Sequence, residues 1–384
     1  MELAEREDRA LADRVTAVLE KAVTERRIVG AVALVAKDDA IVARRAVGLA
    51  DRERGVPMRD GTPFRLASLT KPIVATVTLA AIARGKLTLD TPVHEWLPGF
   101  TPTEGGRRAT ITVRHLLTHT SGLGYAFLEG RDGPYRRANV SDALDQPGLA
   151  LDENLARLAK LPLHFAPGSD FRYSLAYDVL GGVLERACDR PLPALVAGDV
   201  TGPLGMTHTA FTPPNPSALA TPYADGSPEP VRIEDGTYVP LLGAPGGVVF
   251  APSRALDPRS YASGGAGLVG TADDFLRFLE AVRTRALPGV PAALLDAMTS
   301  DQIAPIASPV LGEGWGFGFG VSVLRDPVQA GSPLHAGSYR WGGAWGHTWV
   351  VDPVAKTSAV LLTNTAFEGM IGKLRDEVTA AVSA

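Results

Sequence analysis

This chain contains almost no cysteine, no long apolar run and no strong excess of charge of either sign. Among 384 residues there is one cysteine, Cys188, so no disulfide can form within the chain and a cysteine-based zinc cluster is excluded. The formal net charge is −4 and no basic tract occurs, which argues against a nucleic-acid partner. No apolar stretch reaches the roughly 18 residues that span a bilayer. The charged N-terminal segment MELAEREDRALADRV lacks the apolar core of a secretory signal, so we expect a cytoplasmic protein without membrane partners.

Several common catalytic and cofactor motifs are absent or incomplete. No G-x-S-x-G occurs, so the nucleophile elbow of the α/β hydrolases is missing. His94-Glu95 lacks the second histidine of a zinc-protease motif, and His115 and His119 have no acidic partner, so we expect both to be structural. Residues 265–270 match G-x-G-x-x-G, but the preceding segment does not resemble a strand. This argues against a dinucleotide site.

The hydrophobic pattern predicts an α+β fold with β structure at both ends of the chain. An amphipathic helix over 3–26 should precede a hairpin around a Lys-Asp-Asp turn, followed by a buried helix over 69–84. Near the end, β runs are predicted and then a closing helix: WGFGFGVSVL (315–324), SYRWGGAWGHTWVV (338–351), TSAVLLTNT (357–365) and helix 367–382. We expect these strands to form one antiparallel sheet that the terminal helices cover.

The middle of the chain has a different pattern of residues. Helical pieces such as TVRHLLTH, LDENLARLAKL and SLAYDVLGGVLERAC alternate with Pro/Gly-rich connectors, and 211–256 predicts a long irregular excursion. A helix with Thr271 as its N-cap follows. We therefore predict that residues 1–84 and 256–384 form one α/β domain, with 85–255 as a mainly helical inserted region.

The segment LASLTKPIV (66–74) places Ser68 and Lys71 at the start of the buried helix. Positions i and i+3 share a helix face, so the two side chains can meet. A serine hydroxyl needs a base, and a buried lysine can lose its charge because desolvation disfavours the charged form. The free N–H groups at a helix start would also favour an oxyanion there. From this motif alone, an ordinary N-cap serine beside a solvated lysine remains the alternative.

Other segments resemble, in the same order, the class C β-lactamase-like branch of the penicillin-recognising serine enzymes. LLTHTSGLG (116–124) resembles a helix end of that branch, and PGSDFRYSLAYDVLGGVLE (167–185) resembles its second-motif region, with Tyr173 at the tyrosine position. SGGAGLVGTADDFLRF (263–278) resembles the entry to a long helix, and YRWGGAWGHTWVVDP (339–353) resembles the third-motif strand. The resemblance covers about residues 25–370 and implies a class C β-lactamase-like fold.

Two departures from the β-lactamase pattern narrow the resemblance. The Tyr-x-Asn motif reads Tyr-Ser-Leu at 173–175, and the Lys-Thr-Gly motif reads Trp-Gly-Gly at 341–343. Leu175 cannot hydrogen-bond a substrate amide and Trp341 brings no charge for a carboxylate, so neutral, apolar-sided acyl groups are favoured. The combination resembles the family VIII carboxylesterases. It implies a serine carboxylesterase that hydrolyses small carboxylic esters through an acyl-enzyme intermediate.

The resemblance also implies a role for each catalytic residue. Ser68 would be the nucleophile, and Lys71 and Tyr173 would share its proton network, with the formal base left open. The main-chain N–H groups of Ser68 and Ala344 would form the oxyanion hole. This chemistry requires no metal ion and no organic cofactor, and the expected partner is a small-molecule ester.

Substrate contacts are expected from the third-motif strand and from one tyrosine. Trp341 is assigned to the acyl pocket, Gly342 and Gly343 would let a substrate approach the strand backbone, and Tyr125 would line the pocket. Tyr177, Trp345 and Trp349 are expected to be packing residues. A β-lactamase or D-Ala peptidase, an acyltransferase of the same superfamily and a non-catalytic ligand-binding relative remain alternatives. The oligomeric state is not predicted.

Overall fold

An eight-stranded antiparallel sheet lies at the centre of the computed structural model, which describes residues 2–241 and 243–384. Three strands come from the start of the chain and five from its end: β1 (Gly30–Lys37), β2 (Ala40–Asp51), β3 (Val56–Pro57), β4 (Trp315–Phe317), β5 (Ser322–Leu324), β6 (Tyr339–Gly343), β7 (His347–Asp352) and β8 (Thr357–Thr363). Their order across the sheet is β4-β5-β6-β7-β8-β1-β2-β3. Because β1 pairs with β8, both ends of the chain are needed to complete the sheet.

The first hairpin forms where the sequence predicts it. Asp38 and Asp39, between β1 and β2, have φ angles of +48° and +67°, the conformation of a tight two-residue hairpin turn. Along β1 every residue except Lys37 is buried, so both faces of the sheet are covered.

Ten α-helices occur within the described ranges. They are α1 (Glu2–Thr24), α2 (Thr70–Ala83), α3 (Val113–Leu117), α4 (Pro134–Arg137), α5 (Leu151–Leu158), α6 (Ala176–Cys188), α7 (Leu192–Val196), α8 (Ala272–Arg283), α9 (Ala292–Met298) and α10 (Lys373–Ser383). Helices α1 and α10 pack on each other and α1 lies on β2, whereas α8 packs on β1 and β8. The predicted α+β fold, an antiparallel sheet flanked by the terminal helices, is confirmed. Over the part of the chain described, no helix has the length and apolar character needed to cross a membrane.

The middle of the chain consists mainly of short helices and connections, with α6 and α7 packed against α2. The predicted irregular excursion, 211–256, also contains four short strands that the pattern did not predict. They form two ribbons, Tyr223–Ala224 with Val231–Arg232 and Thr237–Pro240 with Gly247–Phe250. The division into 1–84 with 256–384 and 85–255 stays a prediction, and Met1 and Leu242 lie outside the described residues.

Two elements near the end of the chain differ from the expectation. The run 315–324 forms two strands rather than one, because the chain reverses at Gly320, whose φ is +79°. The last helix begins at Lys373 and not at 367, since the N–H groups of Met370 and Ile371 turn back onto the carbonyl oxygen of Phe367. Helix α8 begins as predicted, with Thr271 Oγ1 accepting the N–H of Asp274 at 3.4 Å.

Candidate active site

Ser68 lies in a 3₁₀ turn, Ala67–Leu69, that leads directly into α2. The turn is anchored by the N–H of Leu66, which donates to the carbonyl oxygen of Leu268 at 2.8 Å. Ala67 has a φ of +47°, a left-handed conformation that is unfavourable for a residue with a side chain. The surrounding structure therefore imposes the backbone conformation that presents the half-buried Ser68 to the site.

Three side chains that are separated along the chain converge on one oxygen atom. Lys71 Nζ donates to Ser68 Oγ at 3.1 Å, across the three-residue spacing seen in the sequence. Tyr173 Oη donates to the same Oγ at 2.6 Å, although it lies 105 positions further along. Lys71 Nζ also donates to the carbonyl oxygen of Gly265 at 2.9 Å. A hydroxyl, an amine and a phenol thus share one hydrogen-bonded network, the arrangement that an activated serine requires.

Lys71 is fully buried, which contradicts the alternative of a solvated lysine. Its Nζ lies 4.6 Å from the ring centroid of Tyr173 and 5.4 Å from that of Tyr125. The nearby Asp178 is buried as well, and burial raises the pKa of its carboxyl, while the charge of Lys71 is among the effects that oppose this rise. The amine is held between aromatic faces and two oxygen acceptors, away from solvent.

Gly265 allows this close packing because it has no side chain. A Cβ atom added to it would lie 3.1 Å from Tyr125 Oη, 3.2 Å from Asp178 Oδ2 and 3.5 Å from Lys71 Nζ. The glycine-rich segment 265–270 therefore serves the lysine site in this fold. Its last two residues pair with Phe64–Arg65 just before the serine turn.

Tyr173 is enclosed by aromatic rings. The ring centroids of His119, Tyr125 and Trp341 lie 4.7, 5.2 and 5.2 Å from its own. Trp341 Nε1 donates to Tyr173 Oη at 3.3 Å. Trp341 therefore contacts the phenol directly, in addition to lining the cavity as predicted.

His115 and His119 both hydrogen-bond to neighbouring residues of the protein. His119 is fully buried and its Nδ1 lies 3.2 Å from Ser174 Oγ. Burial, and next the charge of Lys71, hold the pKa of His119 well below its ordinary value, so this ring is neutral. His115 Nδ1 accepts the N–H of Thr112 at 3.2 Å, which caps α3. His115 has the structural role expected from the sequence. His119 is packed in the core, but its Nε2 has no hydrogen-bond partner among the described residues.

The third-motif strand β6 passes directly beside the serine turn. A Cβ atom on Gly343 would lie 2.7 Å from the carbonyl oxygen of Leu66, so only a glycine permits this approach. Ala344 follows, and it lines the same cavity as Ser68. Neither the Ala344 N–H nor the Ser68 N–H donates to another described residue. Both N–H groups are therefore available to an oxyanion.

The cavity at Ser68 has a volume of about 450 Å³ and is lined mainly by apolar side chains. Its walls include the predicted residues Tyr125, Tyr173, Trp341, Gly342 and Ala344, and additional apolar residues that the sequence did not single out: Phe127, Leu128, Leu144, Leu241, Val248, Leu311, Phe367 and Met370. Gly343 approaches the serine turn without lining the cavity, and Leu175 is buried in the core.

Four ionisable residues of this region were not identified from the sequence, and one of them, Asp142, lines the cavity. Arg340 and Arg375 line the cavity, and Asp178 lies behind Lys71. The position of Arg340, directly before Trp341 in β6, was a signal that could have identified it. Asp178 follows Tyr173 by five residues. It lies in the first turn of α6, the helix that begins just after the Tyr173 segment. Arg375 has no local signal, because only the packing of α10 brings it to the cavity.

In the described ranges, no group of three or more His, Cys, Asp or Glu side chains is arranged to hold a metal ion. His94 and Glu95 lie in a separate 3₁₀ turn, Val93–Glu95.

Comparison with protein families gives a match over nearly the whole chain. Residues 15–384 match the family described as "Beta-lactamase". Esterase EstB of Burkholderia gladioli is 54% identical over 378 residues, which cover 98% of this chain and 96% of that protein.

Solved structures give the same fold. EstCE1, described as a hydrolase with promiscuous acyltransferase activity, superposes with a TM-score of 0.94 at 43% identity, covering 98% of this chain and 100% of that one. Unliganded simvastatin synthase (LovD) from Aspergillus terreus gives a TM-score of 0.76 at 22% identity over 97% of this chain and 98% of that one. The second likeness concerns the fold alone.

Proposed function

The chain belongs to the beta-lactamase family, and within it we propose a serine carboxylesterase that hydrolyses small carboxylic esters through an acyl-enzyme intermediate. The observation that carries the proposal is the convergence of Lys71 Nζ and Tyr173 Oη on Ser68 Oγ, at 3.1 and 2.6 Å. The high identity to an esterase over nearly the full length supports the same reaction class.

In the first half of the reaction, Ser68 Oγ attacks the ester carbonyl carbon and its proton passes to the Lys71–Tyr173 pair. The carbonyl oxygen becomes an oxyanion, which accepts hydrogen bonds from the N–H groups of Ser68 and Ala344. Collapse of this intermediate breaks the bond to the alcohol oxygen, which leaves with the proton held by the pair. One such oxyanion donor typically contributes about 3–4 kcal/mol to the barrier reduction.

In the second half, water attacks the acyl carbon and gives a proton to the same pair. The second oxyanion collapses, the bond to Ser68 Oγ breaks, and that oxygen recovers its proton as the acid leaves. Lys71 and Tyr173 touch the same oxygen, so their protonation is coupled. We assign the base function to the pair rather than to either residue.

The size and lining of the cavity support small esters as substrates. The apolar walls match an acyl or alcohol chain, and the position of Trp341 beside Tyr173 limits the space at the reacting centre. By the resemblance of the motifs, Leu175 and Trp341 replace the asparagine and the lysine of the β-lactamase pattern. The loss of both polar groups supports esters over β-lactams.

Acyl transfer to an alcohol other than water is the second candidate. The same acyl-enzyme would serve both reactions, and the description of EstCE1 as a hydrolase with acyltransferase activity favours it. Adding a small alcohol during hydrolysis and measuring the ratio of new ester to free acid separates the two fates of the acyl group.

The direct test of the esterase is the substitution Ser68→Ala. It should lower kcat for p-nitrophenyl butyrate by at least about 10³-fold while the fold is retained. Mass spectrometry after brief exposure to acyl esters of several lengths should show one adduct, on the peptide that contains Ser68, and should report the preferred acyl size.

The matched control is Ser169→Ala, because this exposed serine donates only to a neighbouring carbonyl oxygen. The control should keep full turnover and the adduct. Retained turnover in Ser68→Ala, or an adduct on another residue, would refute the proposal.

We also propose a cytoplasmic location and the absence of a nucleic-acid partner. The support is compositional: one cysteine, and a net charge of −4 without a basic tract. Cell fractionation followed by an esterase assay tests the location.

A further inference from the structure

Arg340 lies in β6 directly before Trp341 and lines the cavity that contains Ser68. Its guanidinium carbon lies 3.8 Å from the ring centroid of Trp315, so the planar group is stacked on an aromatic face. No described residue accepts a hydrogen bond from this guanidinium, and none forms an ion pair with it. This half-buried arginine is thus held in place by the aromatic ring while its donors remain free for a ligand.

A second arginine lies nearby on another element. Arg375, in the first turn of α10, lines the same cavity, and it pairs with the neighbouring Asp376, whose side chain is 64% exposed. Burial, and next the positive charge of Arg375, lower the pKa of Arg340 from 12.5 to about 10, and the negative charge of Asp376 opposes this only in part. Two positive charges thus lie close enough to repel each other at one part of the cavity wall.

The rest of the cavity offers little compensation. Asp142 is the one acidic side chain among the described lining residues. Its Oδ1 accepts the N–H of Ala126 at 2.8 Å, and burial, followed by the charge of Asp145, raises the pKa of Asp142 well above its usual range. This favours the neutral form of Asp142, so the lining carries a net positive charge.

We propose that Arg340 and Arg375 form a subsite for a carboxylate that the ester substrate carries away from its scissile bond. The planar fork of an arginine matches the two oxygens of a carboxylate, and stacking on Trp315 fixes the plane of that fork before the ligand arrives. Binding would pair the free donors of Arg340 and relieve the repulsion between the two cations. The preferred substrates are then monoesters that bear an acid group, such as hemiesters of dicarboxylic acids.

This inference rests on the proposed esterase function and changes one expectation from the sequence. The loss of the third-motif lysine predicts neutral acyl groups, but the positive charge is present at a different position, one residue earlier in the same strand and on α10. Charge on the wall that carries the two arginines, together with the apolar lining elsewhere, selects a short apolar chain that ends in an anion.

The test compares two esters of equal chain length, mono-p-nitrophenyl glutarate and p-nitrophenyl valerate. The measured quantity is the ratio of kcat/KM for the glutarate to kcat/KM for the valerate. In Arg340→Gln this ratio should fall about tenfold or more, the usual effect of losing a charge-assisted hydrogen bond. Arg340→Lys should keep part of the preference for the glutarate. In the unchanged protein, 0.5 M NaCl should lower the ratio. An acetate ester of 4-hydroxybutyrate against butyl acetate repeats the comparison on the alcohol side.

Arg114→Gln is the matched control, because Arg114 is an exposed arginine that pairs with Asp90 outside the cavity. This control should leave the ratio unchanged. Free glutarate should also inhibit valerate hydrolysis competitively in the unchanged protein, and more weakly in Arg340→Gln. A ratio that Arg340→Gln leaves unaltered on both the acyl and the alcohol side would overturn the subsite. Absence of valerate hydrolysis that depends on Ser68 would instead overturn the esterase, so the two failures are distinguishable.

Discussion

Two groups of polar residues at the cavity are built on opposite principles: Ser68 with Lys71 and Tyr173, here called the inner end, and Arg340 with Arg375, here called the outer end. At the inner end, Ser68 Oγ receives hydrogen bonds from Lys71 and Tyr173, and the lysine has a further acceptor in Gly265. At the outer end, Arg340 is stacked on an aromatic ring but has no polar partner among the described residues. The hydrogen bonds of Lys71 and Tyr173 to the serine are formed without a substrate, although the two oxyanion donors stay free. The guanidinium of Arg340 has no such bond to the part of the protein that the structure describes.

This difference separates two tasks. The inner end must hold its groups in position before the reaction begins, because catalysis depends on preorganised donors and on correct geometry. The outer end can stay electrostatically unbalanced, because the balance is restored when a ligand of the right charge arrives. Changes at the inner end should therefore reduce the rate for every ester, whereas changes at the outer end should alter the choice between esters.

The largest effect should come from Lys71→Met, which removes the amine and keeps a side chain of similar length. We expect kcat to fall by about 10²–10⁴-fold for neutral and charged esters alike, since the proton network loses one member. The thermal midpoint should stay equal or rise, because a buried polar head group is replaced by an apolar one.

The control for this change is Lys160→Met at an exposed lysine, which should affect neither quantity. Turnover and thermal unfolding measure both. A large drop in the melting temperature of Lys71→Met, together with normal activity in the remaining folded protein, would make Lys71 a structural residue.

A smaller loss of activity is expected from Gly265→Ala. This variant tests whether the close packing around Lys71 is needed for catalysis. The new Cβ would lie 3.1 Å from Tyr125 Oη and 3.2 Å from Asp178 Oδ2, which is closer than an ordinary contact. These two groups pack around Lys71, so they must give way and the position of the amine changes with them. A displacement on the order of 1 Å costs about 10²-fold in rate, so we expect kcat/KM to fall 10- to 100-fold.

Gly61→Ala is its control, since a Cβ at that exposed glycine meets no atom within 4 Å. Kinetics and thermal melting of both variants measure the outcome. Activity in Gly265→Ala equal to that of the control would show that the close contact is not needed.

The smallest expected effect is on the pH dependence of the unfolding free energy, and it comes from His347, which packs beside the third-motif strand. His347 lies opposite Gly343 in the pairing of β6 with β7. Its Nε2 is 2.7 Å from the carbonyl oxygen of Arg65, and its Nδ1 accepts the N–H of Thr363 at 3.3 Å. Burial, only partly opposed by the contact to Arg65, lowers the pKa of His347 from 6.5 to about 4.

The direction in which stability changes with pH follows from proton binding to the folded and unfolded chains. Between pH 6.5 and about 4 the unfolded chain binds a proton at His347 that the folded chain does not, so stability falls as the pH falls. This single group contributes a slope of up to about 1.4 kcal/mol per pH unit. His347→Gln should therefore flatten the pH dependence of the unfolding free energy measured in urea. His208→Gln, at an exposed histidine, should not, and equal slopes in the two variants would contradict the assignment.

Much of the fold was predictable from patterns of short range. The hairpin of β1 and β2, the buried helix α2 and the N-cap at Thr271 follow from alternation, apolar periodicity and capping chemistry. The predictions failed at two turns. One is at Gly320 between β4 and β5, and the other is at Phe367 before α10, where the residue has a φ of +69°. Alternation alone cannot distinguish one strand from two halves of a hairpin, because both halves keep the same period.

The site residues also fall into those that short-range patterns predict and those that depend on tertiary packing. Ser68 and Lys71 are three residues apart, so helix geometry alone brings them together. The resemblance to a known family indicated Tyr173, Trp341 and Ala344. Nothing in the sequence indicated that the guanidinium of Arg340 would stack on Trp315, because β4 and β6 are separated in the sheet by β5 and by the packing of that edge.

By itself, the sequence determined the local elements and the serine–lysine pair, because these depend on periodicity and on spacings of a few residues. Only the tertiary structure decided that a phenol 105 positions away would touch the serine and that two arginines from β6 and α10 would share a cavity wall. The physical reason is that contacts between distant segments depend on how the sheet and helices pack, and no short-range pattern in the chain records that packing.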